Sequence, residues 1–345
     1  MKSPKTLILN LIALFERHAG LMAVLAFASG VASFLLVERR ETYAQAIALL
    51  MLASWGWLLL ENWLRVGLLR RFGIELPPFV MRFATQMVQQ ESFFFVLPFF
   101  VVATTWSTGQ AAFTLLLILC ALLSLIDPLY YKQLAPRRAL FIVFHAFSLF
   151  ALLLVVLPLL LHLTTGESLV LALVLALLFS LPSLGRLLPF DRWWRLPLLA
   201  LLLVVLAAGL WQARVWIPPA TLRLVAIELT RQVDPERRSP GSNLRAIDEA
   251  TLQREGLFAW TAVRAPRGLQ EQIHHLWLHD GALVDRITLD IRGGRAEGYR
   301  AWTHKRNFPA AAVGRWQLRV VTDSGQLIGL ADFTVTVAEE SGAVN

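Results

Sequence analysis

Long apolar runs separated by short polar connections fill the first two thirds of the chain, and the pattern then changes to short stretches of alternating apolar and polar residues. Set against the ~20 residues a helix needs to cross a bilayer, the runs predict helices at 19–37, 43–63, 92–106, 110–126, 139–162, 168–184 and 196–217. Lys2 and Lys5 precede the first run, and Ala26-Phe27-Ala28 resembles a cleavage site. The run continues unbroken to Val37, which is too long for the apolar core of a cleaved signal, so it reads as a retained anchor.

The connection from 64 to 91 carries its own pattern. After Pro77-Pro78, Phe79, Phe83 and Met87 recur every four residues, while Arg82, Gln86, Gln89 and Gln90 point elsewhere. Two readings fit: an amphipathic helix lying on the inner leaflet, or an extension of the third span beyond the membrane.

Composition agrees with lipid as the main solvent. Hydrophobic residues make up 57% of the 345 and charged residues only 16%, with a mean hydropathy of +0.58. The net charge of +8 belongs to the apolar part: residues 1–217 hold 16 Lys and Arg against 9 Asp and Glu, whereas 218–345 hold 16 against 15. No basic stripe with interleaved aromatics occurs in the polar part, so nucleic acid is not an expected partner. Thirteen Lys and Arg lie on alternate connections, among them Arg65, Arg70, Arg71, Lys132, Arg137 and Arg138, against Arg39, Arg40 and Arg214 on the opposite side. This bias puts the N-terminus on the cytoplasmic side of the membrane and the segment after the last span on the outer side, which in a bacterium would be the periplasm. Trp106, Trp211 and Trp216 lie near predicted span ends, where interfacial anchors belong.

The chain thus divides into a polytopic membrane domain, 1–217, and an extracytoplasmic domain, 218–345. The latter reads as an antiparallel β-sandwich, with strands at Leu222–Leu229, Leu257–Val263, Gln272–His279, Ala282–Arg292, Arg315–Thr322 and Gln326–Val337. Asp280-Gly281, Gly293-Gly294 and Ser324-Gly325 are turn signals. A two-residue turn at Asp280-Gly281 pairs Trp277 with Val284 and His275 with Arg286, so these side chains share a face opposite Leu276 and Leu278. The greasier face is expected to be core, which makes Trp277, His275 and Arg286 a candidate ligand platform. The competing reading buries Trp277 under a second layer. At Gly293-Gly294 the same turn would oppose Asp290 to Glu297, so a bulge is expected there.

Ionisable groups at membrane depth are candidate functional groups, and Glu61, Glu91, Asp127 and His145 map near the cytoplasmic ends of their spans. Metal and cofactor sites are not expected. His275 and His279 are ~13 Å apart on a strand, and only His18 and His145 offer an inner-side pair for haem. Cys120 is the single cysteine and lies inside an apolar run.

The strings His275-Leu276-Trp277, Gly281, Arg300-Ala301-Trp302-Thr303-His304-Lys305, Gly314-Arg315-Trp316, Gly325 and Phe333 together resemble the bacterial domain-of-unknown-function family 2914, over about 270–337. The membrane half is similar in layout to the uncharacterised membrane region often found ahead of that domain. The resemblance implies a bacterial setting and an all-β domain, and no chemistry. Trp302 and Lys305 from these strings join His275, Trp277 and Arg286 as candidate binding residues. The expected function is a non-enzymatic inner-membrane protein whose outer domain binds an envelope protein or glycan. A transporter or channel using the bundle's polar groups, and an enzyme acting on lipid-linked substrates, are the alternatives. No phosphate loop, nucleophile elbow or metal spacing is present in either half.

Overall fold

The computed structural model describes residues 28, 32, 45–56, 58, 69–70, 78–187 and 195–337. Apart from residues 28 and 32, the first expected span lies outside them, as does Glu61. The chain separates into two compact units. One is Met1–Pro98, Leu115–Leu161 and Leu169–Ala207; the other is Phe99–Thr114, His162–Ser168 and Ala208–Asn345.

The first unit is helical. Its described helices include α1 (Gln45–Gly56), α2 (Pro78–Ala103), α3 (Gln110–Leu125), α4 (Arg138–Leu161), α5 (Thr165–Leu187) and α6 (Arg195–Gln212), some of which run on into the second unit. Among the described residues two helices, α2 and α4, are long and apolar enough to cross a membrane. A third span is added if α3 and the following Asp127–Leu134 segment, bent by 92° from it, count as one. Helices α1, α5 and α6 are apolar over shorter runs of 10–17 residues. Among the described residues, two or three full spans are therefore seen and seven are not.

Helix α2 starts at Pro78, where the missing N–H costs nothing, and continues for 26 residues into the expected third span. The extension reading of 64–91 thus holds for 78–91, and the surface-helix reading does not. Gln86, Gln89 and Gln90, spaced to share one helix face, are at most 3% exposed. The polar face of this segment is packed.

In the second unit, β1 (Arg223–Thr230), β5 (Leu257–Arg264) and β8 (Tyr299–Lys305) form a three-stranded antiparallel sheet in the order β1-β5-β8. Against it lies a five-stranded sheet, β4-β10-β9-β6-β7, built from β4 (Ala246–Asp248), β6 (Gln270–His279), β7 (Ala282–Arg292), β9 (Gly314–Thr322) and β10 (Leu327–Thr336). A small ribbon pairs β2 (Val233–Asp234) with β3 (Ser239–Pro240), and a short α7 (Glu249–Glu255) is capped by Asp248, which accepts from Thr251 N at 2.8 Å. The expected antiparallel sandwich has one exception, since β4 runs parallel to β10. Leu229 and Ala259 from one sheet meet Trp277, Trp316, Leu318 and Phe333 from the other. A second cluster joins Val263 to Ile273, Ile291 and Val320.

Two turn expectations meet different outcomes. Asp280 and Gly281 both have positive φ, 46° and 85°, as a tight primed turn requires. Gly293-Gly294 makes no hairpin. The chain there leaves the five-stranded sheet and enters the other one, so Asp290 never opposes Glu297. Gly293 packs so close to the Pro266 carbonyl that a Cβ would sit 1.7 Å from that oxygen.

Candidate functional site

The β6–β7 register decides where the expected platform residues point. Next to the turn, Leu278 faces Leu283, as the two-residue turn predicts, but a bulge after Trp277 shifts the rest by one. Trp277 therefore opposes Asp285, and His275 opposes Ile287. Both side chains are 0% exposed, so the face carrying them is the core and the platform reading fails. The slip that moves Arg286 opposite Leu276 leaves it on the other face, apart from His275 and Trp277.

Each of the five residues then has its own place. Trp277 meets Phe308 and Phe333 edge to face at 5.9 and 6.2 Å. His275 bonds through Nε2 to the Thr261 hydroxyl at 3.2 Å and through Nδ1 to the Thr303 hydroxyl at 2.9 Å. Burial pulls its pKa down to about 3, so the ring is neutral at ordinary pH and ties the two sheets together. Lys305 is 4% exposed, donates to Asp285 Oδ2 at 2.7 Å and sits 5.2 Å over the Phe308 ring. Trp302 is half-buried and lies opposite Trp260 on β5. Arg286 is exposed, with Nη2 2.7 Å from His274 Nε2 and 3.6 Å from Asp323. The five do not converge on one site.

The helical unit holds a different arrangement. Gln89 accepts from the Tyr130 hydroxyl at 2.6 Å, and its amide nitrogen lies 2.9 Å from His145 Nδ1. Gln86 donates to the Ser124 carbonyl at 3.0 Å and to Asp127 Oδ1 at 2.8 Å. Trp55 donates to the Ser92 hydroxyl at 2.9 Å, and its ring lies 4.7 Å from that of His145. Of the four expected polar residues, Asp127 and His145 are thus linked through glutamines of α2, the helix that also carries Glu91. The sequence set those glutamines apart from the apolar positions of the helix; their 86, 89, 90 spacing was the signal that they form one stripe. Tyr130 belongs to a π-helical turn, Tyr130–Leu134, a distortion common near functional sites. A cavity of about 650 Å³ lined by Arg82, Thr85, Tyr130, Tyr131 and Phe141 lies beside it. Gln86 Oε1 and Gln90 Nε2 are buried without a partner among the described residues, so the stripe is incompletely satisfied.

The third arrangement is on the outer face of the five-stranded sheet. Segments Phe99–Thr114, His162–Ser168 and the start of 208–345 belong to the same unit as that sheet and bond to it. Gln110 donates to the Leu327 carbonyl at 2.7 Å, Gln326 to the Ile217 carbonyl at 3.0 Å and Arg214 to the Ser324 carbonyl at 2.7 Å. Glu271, 4% exposed, accepts from Thr165 N at 2.7 Å. Burial pushes this carboxyl up to about 7, against the opposing pull of its Thr165 hydrogen bonds. Between these segments and the sheet is a groove of about 520 Å³, whose lining includes Gly109, Trp216, Leu276, Gln317, Arg319 and Asp332. A Cβ on Gly109 would stand 2.8 Å from the Trp216 indole, so glycine is what lets the loop close on the ring. Of these, Trp216 was singled out from sequence only as an interfacial anchor, and the sheet residues Gln317, Arg319 and Asp332 not at all. The signal for Leu276, Gln317, Arg319 and Asp332 was alternation: they are the neighbours, one position along, of the inward-facing Trp277, Trp316, Leu318 and Phe333.

Residues 1–259 match the family of unknown function DUF5924. The chain belongs to this DUF5924 family. Residues 270–335 match a second one, the protein of unknown function DUF2914, in agreement with the resemblance read from the motif strings. No curated protein matches the chain. The DUF5924 match ends inside β5 and the DUF2914 match begins at β6, so the sandwich draws on both. The DUF2914 stretch supplies β6 to β9 and most of β10, while β1 and β5 lie in or next to the DUF5924 stretch. The resemblance strings mark core: His275, Trp277, Thr303, Lys305, Trp316 and Phe333 are all buried.

Proposed function

We propose that this DUF5924 protein is a non-enzymatic, multi-pass protein of the bacterial inner membrane, with about seven spans, whose β-sandwich lies in the periplasm and recognises a component of the envelope. The observation that carries the reading is the groove over the five-stranded sheet. Its volume falls within the range of small-ligand sites, and it combines exposed apolar walls with a few fixed polar groups. The cationic bias of alternate connections supports the orientation. Protease added to spheroplasts is expected to cleave within 218–345 without lysis. A tail cut only after lysis defeats the reading.

A second reading, transport through the helical unit, is favoured by the stripe of Gln86, Gln89, Gln90, Tyr130 and His145. An anchor needs no such stripe, because buried polar groups are costly and this one is left partly unsatisfied. Under that reading Gln89→Leu abolishes an ion or solute flux in proteoliposomes; under the first it leaves envelope binding intact.

A further inference from the structure

The groove carries two opposite charges that do not neutralise one another. Arg319 faces Leu330 across β9 and β10, and the next outward pair is Gln317 with Asp332. Arg319 and Asp332 are therefore diagonal neighbours, about 7–8 Å apart along the backbone. Gln317 stands between them. Its carbonyl oxygen accepts from Arg319 Nε, and its amide donates to Asp332 Oδ1 at 2.8 Å. The relay orients the guanidinium and the carboxylate without letting them form an ion pair. Among the described residues, no partner takes the Nη groups of Arg319 or the second oxygen of Asp332.

Next to this pair the groove is apolar. Val215 and Trp216 are 44% and 60% exposed and follow directly on the apolar helix α6, with Leu276, Leu327 and Leu330 continuing the wall along the sheet. An exposed tryptophan at the end of an apolar helix is the residue expected at a bilayer interface. A ligand that fits therefore has a negative and a positive group a short distance apart, and an apolar body attached. A wholly anionic headgroup meets Asp332, a wholly cationic one meets Arg319, and a neutral sugar leaves both charges unpaired. The opposed charges single out a phosphodiester bearing an ammonium.

We propose that this groove binds the headgroup of a zwitterionic phospholipid from the outer leaflet, with the phosphate on Arg319, the ammonium on Asp332 and the glycerol and upper chains along Trp216 and Val215. The proposal rests on the reading above that the β-unit recognises an envelope component, and it names that component. Guanidinium suits the phosphate because its free N–H groups can bind two oxygens at once.

The test uses the full chain, delipidated in detergent and titrated by native mass spectrometry. The probes are dihexanoyl phosphatidylethanolamine, dihexanoyl phosphatidylglycerol and glycerophosphoethanolamine. The ethanolamine lipid is expected to bind about tenfold more tightly than the glycerol lipid, and Asp332→Asn to erase that preference. Arg319→Ala is expected to weaken the ethanolamine lipid by about tenfold or more. Both substitutions are at exposed side chains, and an unchanged melting temperature shows that the fold survives. Equal binding of the two lipids, or a preference that persists in Asp332→Asn, overturns the proposal. Equal binding of glycerophosphoethanolamine also overturns it, since the source would then be a free phosphodiester. In cells, a photoreactive residue at Val215 is expected to label phospholipid. Labelling of a protein or glycan there overturns the lipid assignment and leaves envelope recognition standing, whereas no labelling at all defeats both.

Discussion

The two faces of the five-stranded sheet are built from the same strands and differ by one position in each. Inward, Trp277, Trp316, Leu318 and Phe333 are at most 3% exposed and close the sandwich. Outward, Leu276, Gln317, Arg319 and Asp332 line a groove. Alternation along a strand separates residues that make the fold from residues free to make a contact, and a single bulge decides which set is which. Of the strings that resemble the DUF2914 domain, Trp277, Trp316 and Phe333 belong to the inward set, so much of what marks the domain in sequence is its core.

The sharpest way to break this contrast is at Trp277. Its truncation to alanine is expected to cost about 3–5 kcal/mol, as a large buried aromatic does, and to lower the melting temperature of the full chain by many degrees. A loss of binding with unchanged stability would return Trp277 to the outward set. Among the described residues its indole nitrogen has no hydrogen-bond partner, which also argues for packing as its role.

The next effect is at the sandwich edge, where Lys305 is buried and its partner Asp285 is 40% exposed. Asp285→Ala leaves an unpaired ammonium in the core and is expected to destabilise by about 1–3 kcal/mol, the lower end reflecting the partner's exposure. Lys305→Met keeps the volume and removes the charge, and is expected to cost less than Asp285→Ala. Chemical denaturation of both variants checks the order; the reverse order would make the lysine's charge, not its stem, the stabilising part.

Much of the β-unit was legible because strand periodicity and turn residues are local. Asp280-Gly281 and Ser324-Gly325 both turn where they were expected, with positive φ at each glycine. The platform was misassigned because a bulge leaves no local trace and moves every residue beyond it to the opposite face. Gly293-Gly294 misled for a related reason: its glycines serve the close approach to Pro266, a contact distant in sequence. In the helical unit, apolar runs were legible but their partners were not. The stripe on α2 left two readings open because polarity alone does not say whether Tyr130, His145 and Asp127 wait on the other side.

A smaller effect separates two buried ionisable groups on the same, inward side of β6, four residues apart. His275 faces the core and has its pKa pulled down from 6.5 to about 3, so between those values the unfolded chain binds the extra proton and stability rises with pH. Glu271, near the start of the strand, is pushed up from 4.5 to about 7, so between those values the folded chain binds the extra proton and stability falls as pH rises. The two slopes oppose each other from 4.5 to 6.5. In His275→Asn the first disappears. The stability difference between wild type and variant is expected to grow from pH 3 to 6.5 by up to about 1.4 kcal/mol per pH unit, then stay flat. Melting temperatures across that range measure it. A difference that does not vary with pH would mean that His275 takes up its proton in the folded chain as it does in the unfolded one.

The smallest expected effect is the most direct test of alternation. Arg319 and Leu318 are adjacent in β9, one exposed and the other 0% exposed. Leu318→Ala removes packing against the Trp277 cluster and is expected to cost about 2–5 kcal/mol. Arg319→Ala takes away a guanidinium whose protein contact is the Gln317 side chain, and leaves that side chain with water and with Asp332 as partners. Its stability is expected to stay within about 0.5 kcal/mol of wild type, as surface substitutions usually do. Denaturation of the two variants side by side then reads the faces of one strand. If the arginine variant unfolded as readily as the leucine one, the groove would be a structural contact and not a place kept open for a ligand.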